Sequence, residues 1–201
     1  MAISIEQIKQ LREETGAGVL DCRKALETYN GDFDKAIEYL REKGMAKVAK
    51  RADREVLEGM VELYSHGNGR VGVMVEVNCE TDFVARSESF RKFAHEVALQ
   101  VAAGAPKYVR VEDIPAEVLE QEREKARNLA KAEGKPENVI ERILEGKLEK
   151  YYNENCLLRQ TYVRDENLTL EDLRNHHIVA VGENIVIRRF ARWEIGEEAQ
   201  S

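Results

Sequence analysis

The chain has 201 residues, 43% of them hydrophobic and 34% charged, with a formal net charge of −7. That length suits one or two domains with a sizeable core. The acidic balance argues against broad nucleic-acid binding, which relies on clustered Lys and Arg to displace counterions from phosphates. No apolar run approaches the roughly 18 residues that a membrane span needs.

The start, Met1-Ala2-Ile3-Ser4-Ile5-Glu6, lacks the apolar core of a signal peptide and the Arg/Ser bias of a transit peptide. The expected location is therefore the compartment of synthesis, the cytoplasm. Cys22, Cys79 and Cys156 form an odd, widely spaced set with no CxxC pair, which reads as reduced thiols rather than a disulfide framework or a zinc site.

The first helix is expected after Ser4, an N-cap with Gln7 at capping-box spacing. Ile5, Ile8 and Leu11 follow on one face, and Thr15-Gly16-Ala17-Gly18 is the stop. Asp21 is read as the cap of a second helix that turns Cys22, Ala25 and Leu26 inward. Asn30-Gly31-Asp32 breaks the chain again. Asp32 opens a third helix carrying Phe33, Ala36, Ile37 and Leu40, with Gly44 as its expected end. Three short amphipathic helices must bury their stripes against one another. Val19 and Leu20 are read as loop residues, and two readings stand: they close the core, or they form a small apolar contact patch.

From Met45 to Arg54 the chain is basic, with Lys47, Lys50, Arg51 and Arg54. A solvated linker is preferred over an RNA-binding segment, because charge blocks are usually solvated faces. Val56 to Tyr64, His66-Gly67-Asn68-Gly69 and Arg70 to Asn78 read as a β-hairpin, Asn-Gly being a strong turn signal. Val71, Val73, Val75 and Val77 alternate onto one buried face. A helix is expected from Ser87 to Ala103, with Phe90, Phe93, Ala94, Val97 and Val101 inward. Between strand and helix stands Thr81-Asp82-Phe83. On local patterning alone, Phe83 packs into its own core and Asp82 caps the helix, or both project outward from a rigid base.

Ala116 to Glu133 reads as a long helix with Val118, Leu119, Ala126 and Leu129 on one side. Gly134-Lys135-Pro136 breaks it. A returning helix carries Val139, Ile140, Ile143, Leu144 and Leu148, making an αα-hairpin at about 116–150. Cys156 to Val163 is strand-like, and a short helix is expected from Thr169 to Asn175. His176-His177 lack further ligands at helical spacing, so a structural or solvated pair is preferred over a metal site. Ile185 to Ile195 is the last strand, expected to hold Ile185, Ile187, Ala191, Trp193 and Ile195 on one side, interrupted by Arg189, with Arg188 and Arg192 opposite.

Three segments carry a resemblance. Val77-Asn78-Cys79 followed by Thr81-Asp82-Phe83-Val84-Ala85-Arg86 is similar to the signature of the elongation factor Ts family. Leu11-Arg12-Glu13-Glu14-Thr15-Gly16-Ala17-Gly18, with Asp21-Cys22-Arg23-Lys24-Ala25-Leu26, resembles that family's N-terminal signature. Val181-Gly182-Glu183-Asn184-Ile185-Val186-Ile187-Arg188-Arg189 is the third match, in the same order along the chain.

The resemblance implies an α+β chain: a three-helix, ubiquitin-associated-like domain with the basic linker at 1–54, and a core domain at 55–201. That core holds a small antiparallel sheet packed with helices and carries the αα-hairpin. It implies a guanine-nucleotide exchange factor for elongation factor Tu, not an enzyme, with no cofactor. Asp82 and Phe83 match the pair that wedges near the GTPase's magnesium and phosphate site, flanked by Thr81 and Val84. Phe83, fully enclosed there, would contribute about 2–3 kcal/mol of burial. Val19, Leu20 and Arg23 match the contact region that docks on the nucleotide domain, where the family often has two methionines and a lysine. His66 matches a histidine that faces the GTPase. Longer relatives carry a second core subdomain, so this shorter chain is expected to form a C2 homodimer and a two-plus-two complex. Two other readings stand beside it: a protein-binding adaptor using only the N-terminal helices, and an enzyme. The enzyme finds no support, since the chain shows no glycine-rich phosphate loop, nucleophile elbow or metal triad.

Overall fold

A computed structural model describes residues 3–197; the first two and last four residues of the two expected domains lie outside it. The chain is α+β, with eight α-helices and five strands among the described residues. It divides into two units. One holds the described residues up to Glu62 together with Val75–Glu96 and Asp172–Arg188; the other holds Leu63–Met74, Val97–Glu171 and the chain from Arg189.

In the first unit, α1 spans Ile5–Thr15, closed at its start by the Ser4–Gln7 capping box and at its end by Gly16 in the left-handed region. Helix α2 is Val19–Thr28 and α3 is Phe33–Ala49, the latter capped by the Asp32 side chain on Lys35 N–H. Leu11, Cys22, Ala25, Leu26, Ala36, Ile37 and Leu40 form a shared buried cluster.

Three expectations about these helices are corrected. Helix α2 begins at Val19, capped by Gly18 without a side-chain bond, so Val19 and Leu20 are helical. Asp21 lies inside the first turn and bridges to α3 instead, accepting from Lys43 Nζ at 2.7 Å and Lys47 Nζ at 2.9 Å. Gly44 does not end α3. A Cβ there would approach Val179 Cγ2 to 3.4 Å, so the missing side chain serves close packing while the helix runs on.

Strands β1 (Glu58–His66) and β2 (Val71–Cys79) form the hairpin, and β2 is the centre of a three-stranded sheet of order β1-β2-β5, with β5 at Ile185–Glu194. The connecting turn holds Gly67, Asn68 and Gly69 all at positive φ, the backbone that the Asn-Gly pattern signals. Gly59 is fixed differently. Its φ is 151°, and a Cβ would fall 2.2 Å from the Val77 carbonyl oxygen, so no other residue fits without moving the strand. Val71, Val73, Val75 and Val77 are all buried, as their alternation predicts.

The four-residue helix α4 (Asp82–Ala85) follows β2, and α5 runs from Glu88 to Gly104. Phe90, Phe93, Ala94, Val97 and Val101 are fully buried, the face the sequence indicates. In the second unit, α6 (Ala116–Ala132) and α7 (Glu137–Asn155) make the helical hairpin, longer than expected, around Ala126, Ala130, Ile140 and Leu144. Leu129 is half exposed rather than part of that seam.

The stretch after Cys156 is not a continuous strand. A 3₁₀ turn at Leu157–Arg159 precedes a two-residue strand β3 (Thr161–Tyr162), which pairs antiparallel with β4 (Asp165–Thr169). Gln160 explains the interruption. Its amide nitrogen donates to the Gly104 and Glu154 carbonyls, and its Oε1 accepts from Gln100. Helix α8 is Leu170–Val181, so it begins with the expected short helix and continues through both histidines.

Strand β5 also departs from expectation. Ile185 and Ile187 are buried, Arg188 and Arg189 are both exposed, and Trp193 and Ile195 are exposed at 73% and 64%. Two successive outward residues break the period-2 alternation, so the apolar residues of β5 do not share one face. Arg192 is nearly enclosed, donating to the Ala102 carbonyl and to Glu194 and Glu197.

Candidate functional site: a braced turn with an exposed aromatic

The turn is built from Thr81 outward. Thr81 N-caps α4, its hydroxyl accepting from Val84 N–H at 3.4 Å. Asp82 is the first helical residue rather than the cap, and its exposed carboxylate pairs with Arg86 at 3.1 Å. Phe83 is 83% exposed, whereas Val84 next to it is 6% exposed. The reading in which Phe83 packs into its own core is therefore excluded. Val84 and Ala85 bury their side chains and hold the turn down, which leaves Phe83 to point outward.

Every polar group of Thr81 is engaged. Its N–H donates to Glu183 Oε2 at 3.0 Å and its hydroxyl donates to Glu183 Oε1 at 2.6 Å. Its carbonyl accepts from the Cys79 thiol at 3.2 Å and from Ala85 N–H. Burial pushes the Cys79 thiol up to about 11, with the Glu183 carboxylate adding to the shift; the thiol stays protonated and donates. Cys22 and Cys156 are likewise free, buried and raised by burial.

At the start of α2, Arg23 lies four residues after Val19 and three after Leu20, so its side chain neighbours both. Leu20 is 81% exposed and Val19 is 49% exposed, so neither closes the helical core. Arg23 is solvent-facing and pairs with Glu27 at 2.8 Å. His66 belongs to the second unit. It is exposed at the end of β1, its Nδ1 3.0 Å from the Tyr64 hydroxyl. The predicted residues thus fall in three places: the α2 face, the turn after β2, and the hairpin end.

Sequence reasoning assigned no role to Glu80, Glu183, Asn184 or Arg54, which hold the turn. Glu183 and Thr81 are 102 positions apart, so no local pattern announces the pair; the only sequence signal was that both fell in matched segments. Among the described residues, no group of His, Cys, Asp or Glu is placed to hold a metal ion. No described helix is long and apolar enough to cross a membrane.

Comparison with known proteins places the chain among the translation elongation factors. The family model for elongation factor TS matches residues 6–197, and the chain belongs to the elongation factor Ts family. It is 60% identical over 195 residues to elongation factor Ts of Caldanaerobacter subterraneus subsp. tengcongensis, covering 97% of this chain and 98% of that one. Elongation factor Ts of Moorella thermoacetica is 56% identical over 195 residues, at 97% and 96% coverage. That of Coprothermobacter proteolyticus is 53% identical over 197 residues, at 98% and 100%.

Proposed function

We propose that this chain is a guanine-nucleotide exchange factor for elongation factor Tu in translation elongation, acting in the cytoplasm and performing no covalent chemistry. The observation that carries the reading is the exposure of Phe83 on a turn whose neighbours are buried and hydrogen-bonded. Asp82 and Phe83 insert near the magnesium and phosphate site of the GTPase, with Thr81 at the rim and Val84 as the anchor beneath. Val19, Leu20 and Arg23 dock the N-terminal helices, a ubiquitin-associated-like domain at 1–54, on the nucleotide domain, and His66 adds a contact from the core domain at 55–201.

Nucleotide binding needs ordered phosphate and magnesium ligands. A protein that binds the nucleotide-free form more tightly must weaken nucleotide affinity by the same factor, because the coupling is reciprocal. Leu63, Met74 and Trp193 line an open apolar hollow on the sheet, which supports a C2 homodimer and a two-plus-two complex with the GTPase.

Stopped-flow release of fluorescent GDP from elongation factor Tu tests the reading. Native protein accelerates release and Phe83→Ala loses most of that acceleration. Binding without acceleration by the native protein would reduce the chain to an adaptor.

A further inference from the structure

Three chain segments meet beside the turn. Helix α8 ends at Val181, and Gly182 N–H closes back on the Ile178 carbonyl at 2.9 Å. Ile185, three residues on, is buried at the start of β5. Glu183 and Asn184 therefore project from a short loop fixed at both ends. The Glu183 carboxylate takes three hydrogen bonds from the turn: Glu80 N–H at 3.2 Å, Thr81 N–H at 3.0 Å and the Thr81 hydroxyl at 2.6 Å. In return the Glu80 carboxylate accepts from Asn184 N–H at 2.6 Å and pairs with Arg54 at 3.1 Å. The Asn184 amide donates to the Ala52 and Arg54 carbonyls, and Arg51 Nε donates to the Gly182 carbonyl at 2.8 Å.

This arrangement fixes more than position. A hydroxyl has one proton, and Thr81 gives it to Glu183, which directs the hydroxyl's lone pairs away from that carboxylate, where Val84 N–H meets them. That bond is the cap of α4. A four-residue helix has no stability of its own, so the direction of Phe83 depends on what holds the first turn. Val84 and Ala85 hold it from below and Glu183 holds it from the side.

We propose that Glu183 is a positioning residue for exchange: its carboxylate clamps Glu80 and Thr81 and so sets the angle at which Asp82 and Phe83 meet the GTPase. Its part in exchange rests on the function proposed above. Its hold on the turn does not. Glu183 acts through Thr81.

Two measurements separate these points. The first is exchange kinetics with Glu183→Ala and Glu183→Gln, alone and combined with Phe83→Ala. Glu183→Ala lowers the maximal GDP-release rate roughly tenfold or more, since a misplacement of about 1 Å can cost as much as 100-fold. The half-saturating concentration moves little, because docking through α2 is unchanged. Glu183→Gln retains one carbonyl acceptor and falls between. In the Phe83→Ala background Glu183→Ala has a much smaller further effect, the remainder acting through Asp82. An equal fold-loss in both backgrounds would overturn the proposal, because Glu183 would then act elsewhere.

The second measurement is the amide spectrum of the protein alone. In Glu183→Ala the Glu80 and Thr81 amide protons move upfield while those of α1–α3 stay in place. Unmoved Glu80 and Thr81 amides would equally overturn the proposal. Should native protein fail to release GDP at all, the exchange function and Glu183's part in it would both fall. The amide shifts would then still decide whether Glu183 holds the turn.

Discussion

The His177 ring lies against Phe93, with centroids 4.7 Å apart and the planes tilted by 38°. Burial drives the His177 pKa down to about 4, and the neighbouring His176 adds to the shift. Its Nδ1 has no hydrogen-bond partner among the described residues. The ring is thus held neutral in the folded protein, whereas the unfolded chain protonates it at an ordinary histidine pKa near 6.5. The unfolded state binds more protons between those values, so this contribution is full above about pH 6.5 and is lost as pH falls toward 4. Its full size is on the order of 3 kcal/mol. Urea unfolding from pH 7.5 to 4.5 is expected to show this fall, and His177→Phe to flatten it. An unchanged slope in the variant would move the acid sensitivity elsewhere.

Phe83→Ala separates activity from stability. With its ring exposed, Phe83 contributes little to folding, and the variant's unfolding free energy should lie within about 0.5 kcal/mol of native. A Val84→Ala variant should do the reverse, costing about 1–2 kcal/mol through a buried cavity. Chemical denaturation of both checks the pair; a destabilised Phe83→Ala would mean that the ring is seated in the fold.

Gly59→Ala is expected to cost roughly 2 kcal/mol or more, because its Cβ would sit 2.2 Å from the Val77 carbonyl oxygen. Gly72→Ala, in the next strand with open space around its Cβ position, should be neutral or slightly stabilising. Thermal unfolding of the two variants distinguishes a steric requirement from a general intolerance of alanine in the sheet.

Asp21 joins α2 to α3 through both lysines, chiefly Lys43, which holds its carboxyl below the usual range. A depressed carboxylate pKa means that its contribution is present above the ordinary value and lost as pH falls through the lowered one. The side chains are about one-third exposed, so solvent screening limits Asp21→Asn to about 1 kcal/mol or less. The difference should shrink at 1 M salt, where screening is nearly complete. Persistence of the full difference would point to a packing effect instead.

Trp193→Glu tests the proposed dimer. A carboxylate in the Leu63–Met74–Trp193 hollow would be desolvated on pairing, so light scattering should report monomers at micromolar concentrations where native protein is dimeric. Native protein that is monomeric throughout would remove the dimer and leave the exchange reading intact.

The sequence made most of the helices legible because their caps are local: Ser4 with Gln7, Asp32, and Pro136 ahead of α7. The hairpin was legible for the same reason. What failed was set by tertiary contact. Gly44 looked like a stop until Val179 packed over it. Asp21 looked like a cap, but its partners are 22 and 26 residues away. In β5 Arg189 already marks an interruption of the apolar face, but that Arg188 beside it is exposed as well is visible only in the structure. The candidate site divided likewise. Phe83 stood out as a motif residue, while its exposure and the Glu183 brace depend on chain segments about a hundred positions apart.

Phe83 and Val84 are consecutive residues with opposite fates, one in solvent and one in the core. The backbone under Phe83 is consequently already ordered before any partner arrives. Fixing a flexible residue's main chain costs about 1–2 kcal/mol, and here folding has met that cost in advance. A partner that encloses the ring need only still its two side-chain torsions, so more of the contact energy remains for binding. A single aromatic on a stiff turn can then do what a longer, floppier loop would need several side chains to match.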